Sequence, residues 1–101
     1  MTDIIQWLAK WFSSYCNGDW EHENLIRIET TDNPGWAVTI DLVGTDLQDL
    51  SIELQIFEVN ESDWFLYKVK ERQFFGAGDL SKLAFLLAKF KELVELNDRG
   101  Q

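Results

Sequence analysis

Between residues 25 and 70 the chain alternates apolar and polar side chains with a period of two, and on either side of that stretch apolar positions recur at helical spacing. Alternation sends successive side chains to opposite faces of a strand, whereas an i, i+3, i+4, i+7 recurrence gathers them on one face of a helix. Ile4, Ile5, Trp7, Leu8, Trp11, Phe12 and Tyr15 form a first helical stripe, with Thr2 or Asp3 placed to cap it and Asn17-Gly18 to end it. Leu80, Leu83, Leu86, Leu87, Phe90, Leu93 and Val94 form a second, capped by Asp79, beyond which residues 97–101 are expected to fray.

Four strands are expected between the helices. Residues 25–31 turn Ile26, Ile28 and Thr30 to one side and Arg27 and Glu29 to the other, and residues 36–42 set Trp36, Val38, Ile40 and Leu42 inward. Pro34 presets the first central φ of the intervening turn and Gly35 accepts a positive φ at the second, which is type II chemistry. Residues 51–59 set Ile52, Leu54 and Ile56 against Glu53, Gln55 and Phe57. In residues 64–70 the closing Lys68 and Lys70 favour Phe65, Tyr67 and Val69 as the inward set. Residues 44–49 read as an exposed polar connection, residues 60–63 as a hairpin loop, and Phe74-Phe75-Gly76-Ala77-Gly78 as a reversal into the last helix.

Short connections pair sequential strands. The expected fold is therefore α+β: a four-stranded antiparallel meander in the order α-β-β-β-β-α, with the N-terminal and C-terminal helices covering one sheet face. The other face stays open, carrying Arg27, Glu29, Thr39, Asp41, Glu53 and Gln55, with Phe57 and Trp64 as aromatic neighbours.

Length limits this to one domain, residues 1–101, with one core. Five tryptophans, Trp7, Trp11, Trp20, Trp36 and Trp64, give that core large side chains, and a tryptophan left at the surface is a common interface anchor. Net charge is −9, and its excess is uneven: residues 1–70 hold 13 acids and 4 bases, residues 71–101 hold 5 of each. Such a field repels phosphate backbones and anionic lipid and attracts basic proteins, so neither direct nucleic-acid binding nor membrane binding is expected. The single cysteine, Cys16, cannot form an intramolecular disulfide, which fits a reducing cytoplasm. The N-terminal stretch lacks a signal-peptide pattern, and no run approaches membrane-spanning length.

Candidate chemistry is sparse. Cys16, Asp19, Glu21, His22 and Glu23 lack a second pair at ligand spacing, so no metal or other cofactor is expected. Gly76-x-Gly78 lacks a third glycine and does not open a βαβ unit, which argues against a phosphate loop. An enzyme would have to use Glu21, His22 and Asp32, with Glu21 and Asp32 meeting near one end of the sheet; no nucleophile or fixed carboxylate pair accompanies them, and the chain is read as non-enzymatic. A small-ligand or regulatory domain, with a pocket near Trp20, Glu21 and Trp36, is the alternative reading.

The run Cys16-Asn17-Gly18-Asp19-Trp20-Glu21-His22 and the pattern Ile26-x-Ile28-x-Thr30-x-Asp32-Asn33-Pro34-Gly35-Trp36-x-Val38-x-Ile40-Asp41-Leu42 resemble the immunity protein 53 family of bacterial polymorphic-toxin systems. The aromatic first helix, Asp63-Trp64 and the closing helix extend the resemblance over nearly the whole chain; Trp20, Glu21 and the segment from Asp32 to Trp36 are its most specific residues. The resemblance implies a cytoplasmic antidote that binds and neutralises a toxin protein. Combined with the acidic charge, it leads to an expected basic partner, a nuclease toxin, masked by Glu29, Asp41, Asp46, Asp49 and Glu53.

Overall fold

The computed structural model describes residues 3–99. Its elements run α1 (Ile4–Ser13), α2 (Trp20–Glu23), β1 (Ile26–Thr31), β2 (Gly35–Asp41), β3 (Ile52–Asn60), β4 (Asp63–Lys70), β5 (Gln73–Gly78) and α3 (Leu83–Arg99). The sheet is antiparallel with five strands in the order β1-β2-β5-β4-β3, where the alternation predicts four in sequence. The additional strand is the glycine-bearing segment expected to be a reversal, and it lies at the centre of the sheet. Chain order and sheet order diverge because residues 42–51 carry the chain from β2 past β5 and β4 to the far edge.

Glycine in β5 serves close packing rather than turning. A Cβ on Gly76 would lie 3.2 Å from the Leu86 side chain and 3.3 Å from the Phe74 ring, and one on Gly78 would lie 2.8 Å from Cβ of Lys82. The α3 segment and its approach therefore sit directly on the strand backbone. The β4–β5 reversal falls instead at Glu71 and Arg72, whose φ values of 55° and 63° fit a two-residue turn of the primed kind. Those residue types disfavour positive φ, so the sequence carries no turn signal there.

Val38, Ile40, Leu42, Val69, Phe74, Leu86, Leu87 and Phe90 form the fully buried centre, with Leu8 and Trp11 of α1 packed on it. Phe90 is its hub: its ring meets Trp7, Trp11 and Phe74 at centroid distances of 6.1, 4.9 and 5.3 Å. Burying each such side chain contributes about 1.5–3 kcal/mol, which is how a domain of this size offsets its ordering entropy. Both long helices pack on one sheet face, as predicted, with α3 lying over β5 and β2 and α1 against α3.

Several local expectations are corrected. Asp3 caps α1 by accepting from the Ile5 N–H at 2.9 Å, whereas the alternative cap Thr2 lies outside the described residues. The helix closes at Ser13, ahead of Asn17-Gly18, and Gly18 takes its φ of +97° in the loop that follows. Gly35 does not have a positive φ: it opens β2, and a Cβ there would lie 2.3 Å from the Gly78 carbonyl oxygen. Asp32, Asn33 and Pro34 alone make the hairpin loop. The connection at residues 44–49 is packed as well as polar, since Thr45 and Leu47 are buried and Thr45 Oγ1 donates to the Leu42 carbonyl. Asp79 is spent on the turn before α3, so the helix begins at Leu83 and Leu80 is left exposed. At the other end α3 continues to Arg99 instead of fraying at Asn97, and residues 100–101 lie outside the described chain.

Candidate interaction surface

The residues that stand out in the sequence prove to be internally engaged. Asn17 Oδ1 accepts from the N–H groups of Asp19 and Trp20, and the Glu21 carboxylate accepts from those of Asn17 and Gly18, all at 2.9 Å. The reciprocity is that of a capping box, closing the loop around α2. These N–H donors, Glu21's own first and then Asn17's, hold its carboxyl below the usual range. Trp20 packs on Phe12 and Tyr15 and donates its indole N–H to the Val43 carbonyl, pinning α1 to the crossover loop. Trp36 likewise donates to the Leu80 carbonyl at 3.0 Å. Asp32 follows the distal end of β1 from α2, so Glu21 and Asp32 are separated by the length of that strand, roughly 20 Å for six residues, instead of meeting at one end of the sheet.

A further polar node is built on Asp79, the residue expected to cap the last helix. Asp79 is buried and accepts from the Trp64 N–H, the Ser81 N–H and hydroxyl, and Lys82 Nζ at 2.7 Å; Lys82 also reaches Asp63 at 2.8 Å. The Lys82 ammonium, reinforced by Ser81 and the Trp64 N–H, holds the Asp79 carboxyl well below the ordinary carboxylate range. The two aspartates in turn push the Lys82 ammonium up. This node ties the start of β4 to the end of β5.

Register defines the face that the helices leave open. Cross-strand partners share a face, so Glu29, Ala37, Ala77, Leu66 and Ile56 form one row, and Arg27, Thr39, Phe75 and Lys68 another. Trp64 and Glu58 stand opposite one another beside the hairpin loop. The register of β3 shifts between Ile52 and Gln55. One extra residue there reverses the alternation: Ile52 faces the helices, but so do Gln55 and Phe57, and Leu54 and Ile56 turn outward. Phe57 stacks on Phe65, which meets Phe85 of α3, on the helix side of the sheet. The expectation of Ile52, Leu54 and Ile56 inward with Gln55 and Phe57 on the open face is thereby corrected; Phe65, Tyr67 and Val69 do form the inward set of β4.

The open face is polarised. Asp32, Glu58 and Glu61 lie at the end bearing the two hairpin loops, while Arg27, Lys68, Lys70 and Arg72, with Asp41 and Glu71 among them, lie in the half toward the β4–β5 turn; Asp63 pairs with Lys82 on the helix side. At the acidic end a groove of about 500 Å³ is lined by Asn33, Ile56, Glu58, Glu61, Trp64 and Leu66. Ile56 is 60% exposed, and Leu54 and Val59 on the same edge strand are also exposed. An apolar floor rimmed by carboxylates is a partner-binding kind of surface. The sequence signal for it was the adjacent pair Ile56-Phe57, which makes both faces of β3 apolar.

The five carboxylates expected to bind a partner do not form one patch. Glu29 lies on β1 and Glu53 on β3, opposite edges of the sheet, roughly 19 Å apart by strand spacing. Asp41 accepts from the Leu25 N–H and the Gln73 side chain, bracing β1 and β5. Asp46 borders a smaller cleft with Trp11, Tyr15, Val94 and Asp98 on the helix side, and Asp49 is exposed in the same crossover loop.

These features define a small α+β domain with an uncovered, charge-polarised sheet face open to a partner. The family model for immunity protein 53 matches residues 5–95, and the chain belongs to that family. Membership implies a toxin as partner. No curated protein and no solved structure matches the chain significantly. No helix among the described residues is long and apolar enough to cross a membrane.

Proposed function

We propose that this immunity protein acts in the cytoplasm by binding its toxin through the open sheet face and covering the toxin's working surface, without catalysis of its own. The observation that carries the proposal is the groove: apolar side chains stand together with carboxylates that have no partner among the described residues, on the face that the helices do not cover. The acidic surplus favours a basic toxin, with a nuclease as the reading that best fits, because a −9 protein is steered toward the positive surfaces that grip nucleic acid. Glu29 and Glu53 flank the face from its two edges and supply longer-range attraction. Asp46 and Asp49 act through the overall field, and Asp41 serves chiefly to hold the sheet.

Co-expression with the cognate toxin tests this. Ile56→Asp combined with Glu58→Lys is expected to abolish protection while leaving a folded, soluble protein; full protection by that variant would move the interface off this face. Trp20, Glu21 and Trp36 line neither of the two clefts described above, and the Trp20 and Trp36 indole N–H groups and the Glu21 carboxylate are engaged by their own chain, which favours the sheet face over a ligand pocket at these residues.

A further inference from the structure

Exposed charged side chains of the sheet such as Glu53, Lys68 and Lys70 lack a partner among the described residues; what sets the groove apart is that unmatched donors and acceptors there stand beside an apolar floor. The carboxylates of Glu58 and Glu61 have no hydrogen-bond or ion-pair partner among the described residues. The half-buried Trp64 has no acceptor for its indole N–H there, and Asn33, whose Oδ1 accepts from Thr31, has none for its amide N–H groups. Two anionic acceptors, two neutral donors, an indole face and the aliphatic floor of Ile56 and Leu66 therefore converge on one space.

That set specifies its occupant. A neutral apolar side chain would bring two carboxylates out of water without compensation. A β3-to-β3 contact with a second copy of this chain is disfavoured because residues 51–62 carry Glu53, Glu58 and Glu61 and no base, so it sets like charges together. A long cationic side chain satisfies every element: its methylenes lie on Ile56 and Leu66, its head meets the carboxylates, and its backbone carbonyls accept from Trp64 and Asn33. A guanidinium is favoured over an ammonium because it is planar, stacks on an indole face and bonds two carboxylate oxygens at once.

We infer that the groove is an anchor site for an arginine side chain of the toxin. This rests on the immunity reading for its biological partner, though the recognition itself is a property of this chain. The test is titration of the full chain with N-acetyl-arginine N-methylamide, followed by proton–nitrogen correlation spectra. The neutral isostere N-acetyl-citrulline N-methylamide and the corresponding lysine compound run in parallel.

Saturable shifts of the Trp64 indole and Asn33 side-chain signals are expected with the arginine compound. Affinity should fall at least tenfold for citrulline and severalfold for lysine, and binding should be lost in Glu58→Gln/Glu61→Gln, whose exposed substitutions leave the fold intact. Equal binding of citrulline, unchanged binding by the double variant, or shifts centred on Asp46 and Asp98 would overturn the proposal; equal or tighter binding of lysine would overturn its guanidinium assignment. Protection assays separate the two levels. If the double variant loses arginine binding and still protects fully, the anchor fails while the immunity reading stands; if the native chain does not protect, that reading fails whatever arginine does.

Discussion

The α2 loop and the sheet-face groove are built from the same kinds of residue and behave oppositely. Each joins a tryptophan to glutamate and asparagine: Trp20, Glu21 and Asn17 in one, Trp64, Glu58, Glu61 and Asn33 in the other. In the loop, the indole N–H, both carboxylate oxygens and the amide oxygen are bonded within 3 Å to the protein's own backbone. In the groove the Asn33 amide oxygen accepts from the Thr31 hydroxyl, but the Glu58 and Glu61 carboxylates, the Trp64 indole N–H and the Asn33 amide N–H groups have no partner among the described residues. Internal bonds rigidify the first region and make it architecture, whereas unspent capacity at a solvent-accessible surface is what a partner can use. Among the residues that carry the family resemblance, Trp20 and Glu21 are thus bonded into the chain's own architecture, whereas Asn33 lies at the groove.

If that contrast holds, substitutions in the first class should cost stability and those in the second should cost binding. The largest stability loss is expected at Gly35→Ala, within the family's most specific segment, because the added Cβ would meet a backbone oxygen 2.3 Å away that no rotamer change can move. Urea denaturation should show a loss above about 4 kcal/mol or no folded protein at all. Trp20→Ala should follow at about 3–5 kcal/mol through lost packing on Phe12 and Tyr15 and an unpaired Val43 carbonyl. Trp64→Ala should cost less, about 1–2 kcal/mol, since one side of its ring faces the groove; equal losses for the two tryptophans would break the contrast.

Acid provides a test of the internally bonded carboxylates. The folded-state pKa of Asp79 is depressed, so its contribution is complete above its ordinary unfolded value, near about 4, and is lost as pH falls through the lower folded value. Glu21 acts in the same direction. The urea midpoint should therefore fall as pH is lowered from about 5 to about 2, with a shallower fall in Asp79→Asn. The smallest stability effect, within about 0.5 kcal/mol, is expected for Glu58→Gln/Glu61→Gln, the same variant expected to lose arginine binding.

What could be read from the sequence was set by how local its cause is. The inward rows of β2 and β4 follow from alternation alone, and both helices from their stripes, so the layering and the open face were legible. The fifth strand was not. Gly76 and Gly78 are glycines because Leu86 and Lys82 press on the strand, a tertiary reason that locally looks like a turn, while the actual turn at Glu71-Arg72 carries residues that do not advertise one. The groove was hidden for a related cause: one inserted residue near Glu53 and Leu54 reverses the side chains of β3 as far as Glu58, where a second register shift follows, and only the pair Ile56-Phe57 hints at it. Alternation alone puts Trp64 on the open face, whereas its neighbour Glu58 follows only from the register, and Glu61 only from the fold of the hairpin loop.

Hydrogen exchange measured by mass spectrometry on the chain alone and bound to its toxin tests the central claim most directly, because it maps the contact without altering a residue. New protection concentrated in residues 54–66 and 31–35, with the α2 loop and residues 44–49 unchanged, is the predicted result. Protection confined to α1, the α2 loop or the crossover loop, with the β3–β4 hairpin exchanging as in the free protein, would contradict the account.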